Sequence, residues 1–388
     1  MGHPVRTVAT RIEDHGMRDG LLAIGEYFAP SPIQEHVTFT RSMLRQLRGT
    51  DHSILKTMRW WGDGFTPKSR ALYDFERYGP SAYVSDRDEQ FGWTINGPSG
   101  ELLRDKHRFY AVLEECGYDR YLPQRFGFVT ADRIEPPSSD IEQLLRYEDA
   151  LVLKPRYGAG GADVAVCHLD GNTPEINGTP LTWASFHSAL ARMQGHMVTE
   201  YCEQADYAEY LFPNTPNTIR ILTMHPTSDD PFVAAAVHRI GSSTSGGVDN
   251  FSRGGLSARI FADGSLGPAV RYHHGSVSWH DTHPDTGATI RGVEIPEWDH
   301  MRETVLSVCR ELPALRYVGW DLLSTEDGFA ILEGNNNTDT DLLQAHQPLL
   351  TDHRIRAFYQ EHGIGRGSRL KHRLLAWPPG RHAYELPY

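Results

Sequence analysis

The sequence predicts an α+β protein built from two or three domains. Its 388 residues exceed what one simple core organises. Strand-like segments come in neighbouring pairs joined by short polar turns, the mark of antiparallel pairing. Helical segments stand between those pairs and do not alternate strictly with single strands, so a single doubly wound sheet is not indicated.

Composition sets the outer limits. The chain is 39% hydrophobic and 23% charged, and it contains no apolar run long enough to span a bilayer. The opening MGHPVRTVATRIEDHG lacks the apolar core of a signal peptide, so a cytoplasmic protein is expected. A formal net charge of -12 argues against a general nucleic-acid binder. Cys116, Cys167, Cys202 and Cys309 are widely spread and form no CxxC pair, which suits a reducing compartment and disfavours a cysteine metal site.

The first part reads as amphipathic helix in LLAIGEYFA, FTRSMLRQLR and SRALYDFERYG, broken by glycine and proline neighbourhoods. The aromatic-rich RWWGDGF suits core packing. A second helical pattern runs from Leu102 to about Cys116, with Gly117 placed as its C-terminal cap and Lys106 opening a helix after Asp105. QRFGFVT, ALVLKPR and GADVAVCHL follow as strands, WASFHSALARMQG as a helix and HMVTEYC as a strand. NTIRILTMHP and PFVAAAVHRIG pair across a polar turn, and GLSARIFADGSL ends in a hairpin turn at Asp263 and Gly264. WDHMRETVLSVCREL is a helix, RYVGWDLLST and GFAILEGN form a hairpin through Glu326, Asp327 and Gly328, and DHRIRAFYQEHG closes as a helix.

The last hairpin is the most chemical part. Glu333 and Asn335 stand two apart on one strand and share a face. The short turn can bring Asp321 beside them. Two carboxylates and an amide oxygen at one point make a hard-oxygen site of the kind Mg²⁺ accepts with phosphate and water; solvated acidic strand ends are the plainer reading. KPRYGAGG (154–161) is its basic counterpart. Lys154 ends an apolar strand, and Gly158, Gly160 and Gly161 allow backbone N–H groups close to an anion, although a plain hairpin turn also explains them. Neither GxxxxGK[ST] nor GxGxxG is present. Lys106 is a second candidate phosphate cation or a solvated helix lysine. Arg220, embedded in TIRILT, must find an anion, either a ligand or a protein carboxylate. Glu200, at a strand end, suits a ribose hydroxyl.

Taken in order, Lys106, Lys154 with its glycine loop, Glu200, Arg220, Asp321, Glu333 and Asn335 resemble the ATP-grasp superfamily. The text FGWTINGPSGELLRDK, LVLKP, NTIR, GGVDNFSRGG, HPDTG, IRGVEIPEWD and VGWDLLSTEDGFAILEGNNNTDTDLLQ more closely resembles the sugar-transfer associated ATP-grasp family over roughly residues 91–365. The resemblance implies an ATP-grasp fold with an added N-terminal helical region at 1–90, a first part of the core at 91–150, a lid subdomain with the glycine loop at 151–203, and a catalytic subdomain at 204–388. It implies ATP and Mg²⁺ as cofactors. Lys106, Lys154, Gly158, Gly160, Gly161 and Glu200 would hold the nucleotide, and Asp321, Glu333 and Asn335 the metal. Arg220 and Lys154 would act on the transferred phosphoryl group, with Asn250 and Arg253 of GGVDNFSRGG near the second substrate.

The implied reaction activates a carboxylate as an acylphosphate and joins it to an amine, releasing ADP and phosphate. A kinase phosphorylating a hydroxyl on the same fold is the alternative, and a non-enzymatic nucleotide sensor or scaffold is a third. An amino acid, an amino sugar and a peptide all remain open as acceptors. HHGSVSWHDTHPDTG (273–287) has no compact zinc spacing and reads as an acceptor-side loop, with His280 and His283 as contacts. Trp60, Trp61, Trp93, Trp279 and Trp320 suit core packing or a sugar pocket. The N-terminal helices could mediate a homodimer or brace the nucleotide domain.

Overall fold

The computed structural model describes residues 62–130, 133–135, 139–158 and 163–365. The earliest expected helices, Trp60, Trp61, Gly160, Gly161 and residues 366–388 lie outside the described residues. The chain divides into two compact units, one formed from its two ends and one spanning Gly92–Gln347.

In the first unit, SRALYDFERYG forms two short helices, Pro67–Leu72 and Phe75–Tyr78, capped by Thr66 and Asp74. Phe65, Tyr73, Phe75 and Tyr83 pack as an aromatic knot, with Tyr73 and Tyr83 stacked at 4.5 Å. DHRIRAFYQEHG forms the helix His353–Glu361, whose cap is the Asp352 carboxylate.

The second unit holds two sheets in which every described pairing is antiparallel. The first contains β1 (Arg125–Thr130), β2 (Arg133–Glu135), β3 (Ser139–Asp140), β4 (Ala150–Lys154), β5 (Ala165–Asp170), β6 (Thr173–Ile176), β7 (Thr179–Pro180) and β8 (Met197–Glu200), in the order β3-β2-β1-β8-β4-β5-β6-β7. Leu145 and Phe186, from the helices Ile141–Glu148 and Trp183–Leu190, join Leu151, Leu153 and Val198 in its core. The second contains β9 (Ile219–Met224), β10 (Phe232–Ile240), β11 (Leu256–Ile260), β12 (Leu266–His273), β13 (Ser276–His280), β14 (Tyr317–Thr325) and β15 (Gly328–Asn335), in the order β13-β12-β11-β10-β9-β14-β15. Met301, Val305 and Val308 form the buried stripe of the helix Trp298–Glu311, at the spacing that puts them on one helix face.

The helical pattern expected from Leu102 to Cys116 is broken in two. Gly100–Arg104 ends at Asp105, and α1 (Lys106–Glu115) begins there, because the Asp105 carboxylate accepts from Arg108 N at 3.3 Å and caps a new helix. Gly117 closes α1 at φ +81°, with Tyr118 N donating to Leu113 O at 2.9 Å.

Register decides what the β14–β15 hairpin presents. From the turn, Thr325 pairs with Gly328 and Leu322 with Ile331. Continued evenly, that register would set Asp321 against Leu332 and turn Glu333 to the opposite face. A bulge between Asp321 and Leu322 instead pairs Asp321 with Glu333 and Gly319 with Asn335. Leu332 is the extra residue, and its carbonyl accepts from Tyr110 Oη at 3.3 Å. Gly334, between the two polar residues, packs the other way. A Cβ there would lie 2.8 Å from Leu103 Cδ2 and 3.0 Å from Phe109 Cε2. Gly334→Ala is therefore expected to cost about 1–3 kcal/mol through overpacking, read as a lowered denaturant midpoint.

Candidate active site

A cavity of about 480 Å³ in the second unit gathers side chains from both sheets and from α1. Lys106, Lys154, Gly158, Glu200, Arg220, Asn250, Asp321, Glu333 and Asn335 all line it.

Lys154 sits at the end of β4, buried, and donates to Tyr110 Oη at 3.2 Å. Tyr110 in turn donates to the bulge carbonyl of Leu332, so the lysine and the acidic strand are joined through one phenol. Burial pushes the Lys154 ammonium below its ordinary pKa, and the nearby Glu333 charge opposes that shift. Lys106, in the first turn of α1, places Nζ 3.3 Å from Glu333 Oε2 and donates to Gly158 O at 3.0 Å. Glu200 ends β8 and accepts from Cys202 Sγ at 3.6 Å. Burial, then Glu200, pushes the Cys202 thiol up to about 12, so it is no thiolate nucleophile.

Arg220 faces Asp321 across β9 and β14 and donates to both carboxylate oxygens, Nη2 reaching Oδ2 at 3.0 Å. This answers where the embedded arginine finds its anion. Arg239, on β10, adds a second guanidinium, with Nη1 3.4 Å from Asp321 Oδ2 and Nη2 2.7 Å from Asp249 Oδ1. Asp249 also accepts from Thr218 N at 2.9 Å. Burial raises the Asp321 pKa, but Arg220 and Arg239 outweigh it and hold the carboxyl below the usual carboxylate range. Asn335 Nδ2 lies 3.4 Å from both Asp321 Oδ2 and Glu333 Oε1. Asp321, Glu333 and Asn335 thus stand together, but Asn335 turns its amide nitrogen to the two carboxylates and both Asp321 oxygens are taken by Arg220 and Arg239, so the expected set of three oxygen donors is not formed in this arrangement. Among the described residues no group of three or more His, Cys, Asp or Glu side chains is arranged to hold a metal ion.

Asn250 caps the turn Phe251–Arg253 by accepting from Ser252 N at 2.8 Å, while Arg253 is exposed and does not line the cavity. His283 is buried, bonded to Gly241 O at 2.8 Å and stacked on Phe212, which makes it a packing residue. His280 bonds Ser278 on β13. Trp320 is core, donating to Thr223 Oγ1 at 2.8 Å, and Trp93 and Trp279 do not line the cavity. Sequence reasoning missed Arg239, Tyr110 and Asp105. For Arg239 the signal was available: it is an arginine inside an apolar strand, the same reason that singled out Arg220.

Two antiparallel sheets meeting at a cavity of lysines, arginines and acidic oxygens define an ATP-grasp protein. The chain belongs to the sugar-transfer associated ATP-grasp family, whose model matches residues 87–357. No curated protein matches it in sequence. Among solved structures it is similar to D-alanine–D-alanine ligase from Bacillus anthracis, at 12% identity and a TM-score of 0.38, covering 86% of this chain and 95% of that one. It is also similar to the biotin carboxylase domain of 2-oxoglutarate carboxylase from Hydrogenobacter thermophilus, at 10% identity and a TM-score of 0.37, covering 68% of this chain and 44% of that one. A third is the L-amino acid ligase from Bacillus licheniformis, at 12% identity and a TM-score of 0.33, covering 63% and 42%. The chain thus spans less than half the length of the last two. Among the described residues no helix is long and apolar enough to cross a membrane.

Proposed function

We propose that the protein is an ATP-dependent ligase that activates a carboxylate as an acylphosphate and joins it to an amine, releasing ADP and phosphate. One observation carries this reading: four cations, Lys106, Lys154, Arg220 and Arg239, and the side chains of Asp321, Glu333 and Asn335 line one cavity. Phosphoryl transfer needs mainly positioning and charge stabilisation, and that lining supplies both.

In this reading Val152, Val166, Leu323 and Leu332 enclose the purine, and Glu200 accepts from ribose hydroxyls. Lys106, Lys154 and the loop from Gly158 through Gly160 and Gly161 hold the phosphates. Mg²⁺, held by Glu333, Asn335 and Asp321, would neutralise phosphate charge. A carboxylate oxygen takes the γ-phosphoryl group, with Arg220 stabilising the equatorial oxygens. The amine then attacks the acyl carbon and phosphate departs. Asn250 lines the second-substrate side, with Arg253 on the neighbouring turn. The acceptor is an amino acid, an amino sugar or a peptide. We propose residues 91–150 as the first core part, 151–203 as the lid and 204–388 as the catalytic subdomain, although β1–β3 pair into the same sheet as β4–β8 and the residues from Pro348 fall in the unit formed by the chain ends; in this reading the protein is cytoplasmic, and residues 1–90 are where a homodimer would form.

The test is product analysis with Mg²⁺, ATP, pooled carboxylates and amines, and hydroxylamine as a trap. A carboxylate-dependent hydroxamate with ADP is expected. A stable phosphorylated alcohol without hydroxamate would instead establish the kinase. Glu333→Gln is expected to reduce turnover by about 10²-fold or more with little change in melting temperature; an unchanged rate sinks the metal assignment.

A further inference from the structure

A helix cap needs one acceptor, yet the Asp105 carboxylate, with its side chain only 5% exposed, receives donors from three residues. Besides Arg108 N, it takes Arg156 Nε at 3.0 Å to each oxygen, Arg156 Nη2 at 2.6 Å and Tyr157 Oη at 3.1 Å. The backbone repeats the connection. Lys106 N, one of the donors a helix start leaves without an intrahelical partner, bonds Arg156 O at 3.0 Å, and Lys106 Nζ bonds Gly158 O at 3.0 Å. Residues 156–158, which leave β4 just after Lys154, are therefore tied to the start of α1 by side chain and main chain together. Burial pushes the Asp105 carboxyl up, and the hydrogen bonds from Arg156 and its neighbours more than offset this, so it stays ionised and able to pair.

The tie acts on Lys106, one of the two lysines of the cavity. Lys106 Nζ is shared between a carbonyl of this stem and Glu333 Oε2. The stem's position therefore sets where that ammonium waits for an anion. We propose that Asp105 is a positioning residue: by gripping Arg156 and Tyr157 it fixes the 156–158 stem, and through it the reach of Lys106 towards nucleotide phosphates. This rests on the nucleotide reading above. A planar guanidinium bound at two points holds orientation as well as charge, which a single hydrogen bond does not.

The test is calorimetric titration of the full chain with ADP and Mg²⁺, run beside limited trypsin digestion scored for cleavage after Arg156. Asp105→Asn and Arg156→Ala are each expected to weaken ADP binding about tenfold, and the double variant no further, because both remove one connection. Asp105→Glu should recover most of the loss. Cleavage after Arg156 should accelerate severalfold in Asp105→Asn. Arg156 is nearly half exposed, so Arg156→Ala reads the pair in a folded protein even where the aspartate variants fold poorly. ADP affinity unchanged in Arg156→Ala overturns the proposal and leaves Asp105 as a helix cap alone. A wild type that binds no ADP overturns the nucleotide reading and this role with it. Wild-type binding with insensitive variants overturns the positioning role only.

Discussion

Asp321→Ala is expected to destabilise the protein by about 3–5 kcal/mol, the largest effect of any single change in the site. The carboxylate stands between Arg220 and Arg239, and its side chain is 5% exposed. Removing it leaves two guanidiniums sharing a desolvated space, with Asp249 left to compensate only Arg239. The melting temperature should fall by about 10 °C or more, and a shift of under two degrees or so would show that solvent reaches the pair.

The sign of the pH dependence follows from the same geometry. The folded carboxyl titrates below its unfolded value, so the unfolded chain binds this proton first as pH falls. The contribution is complete above the ordinary aspartate pKa of about 3.9 and is lost as pH drops from there through the folded value. Asp321→Asn should therefore make the acid side of the stability profile shallower by one proton. An acid slope identical to wild type would place the shift elsewhere.

Lys154→Met should show the opposite balance, with stability held or raised and turnover reduced about 10²–10³-fold. Burial alone disfavours the ammonium. Its loss leaves no polar group stranded, because Tyr110 still donates to Leu332 O and Glu333 keeps Lys106. Methionine fills similar volume. The measurement pairs thermal melting with ATP turnover. Equal turnover in the variant would remove Lys154 from the chemistry, and a large drop in melting temperature would make it structural.

Gly334 shows how one motif serves two faces. In LEGN, Glu333 and Asn335 line the cavity, while the glycine admits Leu103 and Phe109 on the reverse side. The polar alternation was readable in the letters. The reason for the glycine was not, because the residues that need the space stand more than two hundred positions earlier.

The same division runs through the protein. Local chemistry decides a strand, a turn or a cap, so the hairpins at Asp263 and Gly264 and at Glu326 and Asp327, the cap at Gly117 and the lysine ending β4 were legible from neighbouring residues. So was the need of Arg220 for an anion, since a charge inside an apolar strand must be compensated wherever it lies. Which anion it meets depends on β9 lying beside β14, a pairing across about a hundred residues that no local preference encodes. The bulge at Leu332 is of the same kind. Even extension of the hairpin would turn Asp321 and Glu333 to opposite faces, and one extra residue, its carbonyl taken by Tyr110 of a distant helix, brings them together. Residue chemistry along the chain thus settled which groups could handle phosphate. Strand order and one register shift settled which of them meet, because a strand's face changes with each residue and only its long-range partners hold the count.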